Sequence, residues 1–409
     1  MNQNFKRLKA ACYISSVAGA MVCNLSPLLF LTFRSMYDIS YSLLGLLITV
    51  NFFTQLGIDL IFSFFSHKFD IPKTVKAMPI LTAVGFIIYT VCPFFFPNHV
   101  YVGLLIGTFI FSISGGLGEV LISPLIAAIP SKDPDREMSM LHSLYAWGVV
   151  GIIIISSIFL YFFGTHNWQW LVLLLTAIPI ASAILYAGSE FPTVVTPKKT
   201  SGAIAYMKKR GVWLCVIAIF LGGASELVMA QWSSTYLERA LNIPKVWGDI
   251  FGVALFGFTL GIGRSMYAKI GKNIGRVLVF GAVGATICYI LAAISENPFV
   301  GLASCALTGL CVSMMWPGSL IVSSDRYPDG GVLIYALMAA GGDFGASVGP
   351  QIVGVITDFC ISNPSVISLS QTINIAPENL GMRIGLLIGA LFPLAGIPVY
   401  MAIKKMRNE

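Results

Sequence analysis

Residues 101–129 read YVGLLIGTFIFSISGGLGEVLISPLIAAI, and Glu119 is the one charged side chain among them. At about 1.5 Å of rise per residue, an unbroken apolar helix of this length crosses the roughly 30 Å of a bilayer's hydrocarbon core. Working outward, runs of the same kind cover 10–33, 42–65, 75–95, 138–163, 168–187, 212–237, 247–270, 277–294, 299–322, 331–357 and 382–403. Twelve spans of about 20 residues take about 240 positions. The composition agrees: 56% of the 409 residues are hydrophobic and 11% are charged, against roughly 25% charged in a soluble domain. A soluble globule, a disordered chain, a secreted disulfide scaffold and a nucleic-acid binder are excluded. Inside a bilayer every backbone polar group needs an internal partner, so each span must be helical. The expected fold is an all-α integral membrane protein of twelve helices.

Twelve spans leave both termini on one side. Lys and Arg in the connections divide 20 to 4 in favour of that side, with Arg264 inside a span. Positive charge accumulates on the cytoplasmic face, so both termini are expected there, in the cell (inner) membrane. The basic start MNQNFKRLKA runs into an apolar stretch too long for a signal-peptide core, and reads as an uncleaved first span. The eight cysteines lie mostly in apolar runs, with no CxxC spacing, and read as small hydrophobes.

The longest polar break, GSEFPTVVTPKKTSGAIAYMKKRG at 188–211, separates six spans (1–187) from six (212–409). The halves resemble each other: Asp59-LIFSFFSHKFDI aligns with Arg264-SMYAKIGKNIGR at an offset of 205. Pro124, before IAAIPSKDPD, matches Pro317, before LIVSSDRYPD. Parallel repeats of this kind place a substrate site near the midplane.

A charge deep in a span needs a partner, water or a proton. Asp59, Glu119, Glu226, Arg264 and Asp343 are the five such residues. Glu119 lies about 15 Å from the cytoplasmic end of span four, after a run of glycines that permits close helix approach. It reads as a proton carrier and substrate ligand, with a structural carboxyl as the bland alternative. Glu226 on span seven lies about 21 Å deep and reads the same way. Nearer the opposite face, Gln231 is a candidate ligand, and Trp232 is either a stacking platform for a sugar ring or an interfacial belt residue. His142 and Tyr145, three apart on span five, share a face. His142 offers a proton route from Glu119 or a packing hydrogen bond, and Tyr145 is a candidate ligand. On span two Asn51, Gln55 and Asp59 form one polar stripe, whose amides suit hydroxyl groups. Asp59 lies about 9 Å deep, and Arg264 similarly on span eight, a depth that suits an inner gate. Trp316, before Pro317 on span ten, and Asp343, near the midplane of span eleven, are further lining candidates. Gly341-Gly342-Asp343-Phe344 matches part of a cyclase signature by chance. The run 132–137 reads as a solvated loop. No phosphate-binding loop, nucleophile elbow or metal-ligand spacing occurs in the sequence, so an enzyme is not expected, nor are metals or cofactors.

At these residues the chain resembles the major facilitator superfamily, and more narrowly its fucose permease and glucose/mannose proton symporter group. GGLGEVLISP with Glu119, the Glu226-x5-Trp232-x3-Tyr236 pattern, Gly261-Ile-Gly-Arg264 with Gly271-Lys272 and Gly275-Arg276, and Leu141-His-Ser-Leu-Tyr145 carry the resemblance. It implies proton-coupled uptake of a neutral monosaccharide or similar polyol, with Glu119 and Glu226 at the proton and sugar site and Asp59 and Arg264 at the inner gate. On span one, where fucose permease has an Asp, the polar candidate is Asn24, which cannot carry a proton. The resulting expectation is a monomeric symporter working by alternating access and driven by the proton gradient. Two rivals stand beside it: a proton-antiport exporter of drugs or metabolites on the same fold, and a membrane sensor or embedded enzyme.

Overall fold

The computed structural model describes residues 3–65, 68–130, 134–192, 209–270, 273–327 and 331–407. Among the described residues the chain is helical, with no strand. Eleven helices among the described residues are long and apolar enough to cross a membrane. The expected fifth span appears as Pro134–Phe163, with its apolar part at Trp147–Phe163. The twelve-span reading therefore holds.

Several spans are broken where proline requires it. Proline lacks the N–H that would bond four residues back, and its ring crowds that carbonyl. Span six divides at Thr176, three residues before Pro179, and span twelve at Ala390, three before Pro393. Span ten divides at Ser313 and Met314, just ahead of Pro317. In span one Pro27 lies inside Gln3–Leu28, and the chain resumes as Phe30–Tyr37. Span eight opens with a π-helical turn, Gly248–Ala254, before Leu255–Ile270.

The chain forms two compact units. The first comprises residues 1–32 and 50–200, the second residues 33–49 and 201–409. The expected linker 188–211 lies largely outside the described residues. In the first unit spans three and four meet at two glycines: a Cβ on Gly85 would stand 2.6 Å from the Phe111 nitrogen, and one on Gly107 2.8 Å from the Gly85 oxygen. Span one packs on span six partly through a 2.6 Å hydrogen bond between the Ser15 and Ser182 hydroxyls. In the second unit spans seven and eleven cross at Gly345, where a Cβ would stand 2.1 Å from the Phe220 oxygen. Small residues let helices approach closely enough for packing to hold them together in lipid. Large apolar side chains such as Phe95, Phe162 and Phe280 stay exposed, as a lipid-facing surface allows.

Candidate functional site

Span two builds the polar heart of the first unit. Asn51 donates from Nδ2 to the Val22 carbonyl at 3.0 Å. Its Oδ1 accepts from Gln55 Nε2 at 3.0 Å and from Ser112 Oγ at 2.6 Å. This network ties span two to spans one and four, and both amides are buried, at 5% and 1% exposure. The expected polyol-binding stripe is thus committed to helix packing at Asn51 and Gln55. The contact is close because Gly115 and Gly116 face it: Cβ atoms there would stand 2.7 Å from Gln55 Oε1 and 3.0 Å from Gln55 Cα.

One turn further along both helices the carboxyls of Asp59 and Glu119 meet. Their carboxylate oxygens lie within 4.8 Å of each other. Asp59 is buried whereas Glu119 is exposed. Ionised carboxylates only accept hydrogen bonds, so two held this close repel, and one proton between them converts repulsion into a bond. The sequence assigned Asp59 to a gate; the structure sets it beside the proton-carrier candidate.

Elsewhere in this unit, Asn24 donates to the Ala20 carbonyl of its own helix at 2.9 Å. Tyr145 is half-buried, its ring 3.9 Å from where a Gly19 Cβ would stand. The side chain of His142 lies outside the described residues.

In the second unit Arg264 Nη2 reaches both oxygens of Glu226 at 3.2 Å. Its Nε donates to the Ser313 carbonyl at 3.1 Å. Glu226 is 14% exposed and Arg264 37%, so the pair is partly open. Glu226 is therefore charge-compensated, where the sequence alone left it unpaired and placed Arg264 at a gate. Trp232 is fully buried; its Nε1 donates to the Pro350 carbonyl at 2.9 Å and its ring lies 5.9 Å from that of Tyr41. Both expected roles, sugar platform and lipid-interface belt, give way to packing in this conformation. Tyr236 is buried and bonded to the Ala292 carbonyl, and Gln231 and Asp343 are buried as well. The half-buried Trp316 ring covers Gly342, where a Cβ would stand 2.3 Å from its edge.

A buried carboxylate that the sequence reading passed over is Asp249, in the π-helical turn. Lys245 Nζ reaches it at 3.1 and 3.2 Å, and Ser234 donates to it. The i, i+4 spacing of Lys245 and Asp249 was the available signal.

The family model of the Major Facilitator Superfamily matches residues 10–350. The chain belongs to this superfamily. It is a multi-pass membrane transporter and not an enzyme. Among solved structures it is similar to a bacterial homologue of the human lysosomal transporter Spinster in an inward-facing, unoccupied conformation, with TM-score 0.78 at 12% identity over 99% of this chain and 98% of that one. It is also similar to the nucleoside transporter NupG, with TM-score 0.71 at 13% identity over 98% and 99%. At these identities the likeness concerns the superfamily fold. No curated protein sequence matches the chain.

Proposed function

We propose that this transporter couples proton movement to uptake of a neutral monosaccharide or similar polyol. Both termini are cytoplasmic in the cell membrane, the working unit is a monomer, and the proton gradient is the sole driving force, with no cofactor. The observation that carries the reading is the Asp59–Glu119 pair. A carboxyl pair that shares one proton, with one member buried and the other accessible, suits reversible protonation during a transport cycle. Glu119 is the member that exchanges the proton with water and contacts substrate. Protonation makes the pair neutral, which lowers the cost of passing through a drier, occluded state. Substrate and proton then favour the same state, and coupling follows. Glu226 and Arg264 supply a compensated polar pair for hydroxyl recognition in the second unit.

The test is uptake of labelled hexoses, polyols and nucleosides into vesicles under an imposed pH gradient. Accumulation driven by an acidic exterior is expected. Proton-driven efflux would instead identify an exporter, and no gradient dependence would remove proton coupling. A thermal-stability screen of purified protein selects the compounds, because a ligand that binds only the folded state raises the midpoint.

A further inference from the structure

The hairpin between spans one and two belongs, by its contacts, to the second unit, although the helices on either side of it in the chain belong to the first. Two carboxylates explain this. Asp358, near the end of span eleven, accepts from the backbone N–H groups of Tyr41 at 3.0 Å and Ser42 at 2.6 Å. These are the first two residues of the helix Tyr41–Phe65, whose N–H groups have no partner within the helix and whose dipole favours an anion. Glu378, at the start of span twelve, accepts from the Tyr41 hydroxyl and lies 3.5 Å from Arg34 Nε. The Arg34 guanidinium in turn sits 4.1 Å over the Tyr41 ring. The seat is shaped for the hairpin: a Cβ on Gly354 would stand 2.4 Å from the Tyr41 carbonyl oxygen. Below it Thr49 donates to the Ser347 carbonyl at 3.2 Å.

From this geometry we infer that Asp358 and Glu378 are a two-point latch that holds residues 33–49 on the second unit, and that its release frees this hairpin from its seat. Asp358 is the stronger point, because it satisfies two helix-end donors at once. Glu378 fixes the register through Tyr41 and Arg34. The inference rests on the transport reading, but its test needs no substrate, so the two fail separately.

The test uses the full chain in lipid nanodiscs with a single added thiol, Thr49→Cys. Labelling by a bulky maleimide is read at that residue by mass spectrometry, so the native cysteines do not enter. Either Asp358→Ala or Gly354→Leu should speed labelling about fivefold, the equivalent of about 1 kcal/mol for a lost helix cap. Gly354→Leu acts by wedging the hairpin off its seat, and serves if Asp358→Ala does not fold. A disulfide between Gly45→Cys and Gln351→Cys should cancel the gain and reduction should restore it, since a Gly45 Cβ would stand 3.3 Å from Gln351 Cα. Unchanged labelling in the folded variants, or a gain that the disulfide does not cancel, would overturn the latch.

Discussion

Asp59 and Glu119 meet one helical turn beyond the point where Gln55 packs on Gly115 and Gly116. The same four-residue step on both helices carries a glycine-mediated contact into a carboxyl pair. Close approach at the glycines is what holds two like groups in contact that would otherwise separate. The first consequence concerns Glu119→Gln. The amide keeps the shape of the side chain and donates to Asp59, so the helices stay packed, but the exchangeable proton is lost. Uptake against a gradient should vanish while substrate counterflow persists. Accumulation retained by the variant in vesicles would show that Glu119 does not carry the proton.

On the proposed sharing of one proton between the two carboxyls, Asp59→Asn should produce the same loss of gradient-driven uptake as Glu119→Gln. Gradient-driven uptake measured for the wild type and both single variants decides: an Asp59→Asn variant that still accumulates substrate would show that Glu119 acts without its neighbour.

The Glu226–Arg264 pair predicts stability effects of a different kind. Removing one partner leaves the other without compensation in a partly buried place, at a cost of about 2 kcal/mol for a hydrogen bond to a charged group. Glu226→Gln and Arg264→Gln should each lower the unfolding midpoint in detergent. The double variant should recover part of the loss, since neither charge then remains unmatched. A strictly additive double variant would mean that the two side chains do not interact in solution.

The sequence made the architecture readable because the bilayer imposes a length and an apolarity that few other environments require. Every expected span has its helix, and the interruptions follow Pro179, Pro317 and Pro393. The intramembrane charges were readable too, as candidates. What could not be read was their pairing. Asp59 and Arg264 occupy matching places in the repeat, which suggested a shared gating role; contact depends instead on which helix packs beside each, and for Asp59 the glycines of span four set that. Trp232 shows the same limit: a tryptophan near a span end has one signature in sequence whether it lines an opening, meets lipid or fills a core. Asp358 was not singled out because its partners are backbone N–H groups, which every sequence contains.

Outside the spans, Asp70 caps the helix Ile71–Phe95, its Oδ1 accepting from the Lys73 N–H at 3.1 Å. That backbone bond, helped by the Lys73 ammonium at 3.1 Å, holds its carboxyl below the ordinary value. A lowered folded value means that the cap stabilises above the unfolded carboxyl range and fades as pH falls through the folded value. Amide exchange at Lys73, corrected for its intrinsic pH dependence, should lose protection on acidification. In Asp70→Ala protection should be low throughout and show no such step.

Trp232 separates packing from recognition. Its indole is fully buried and donates to the Pro350 carbonyl. Trp232→Phe keeps an aromatic ring and removes the donor, which should cost about 1 kcal/mol. Trp232→Ala opens a cavity and should cost about 3–5 kcal/mol. In both, the apparent substrate affinity of whatever protein remains folded should change little, because the ring is covered by spans seven and eleven and by Tyr41. Unfolding midpoints together with uptake KM separate the two effects. A Trp232→Phe variant of wild-type stability with a sharply raised KM would show that the ring meets substrate in another state of the cycle.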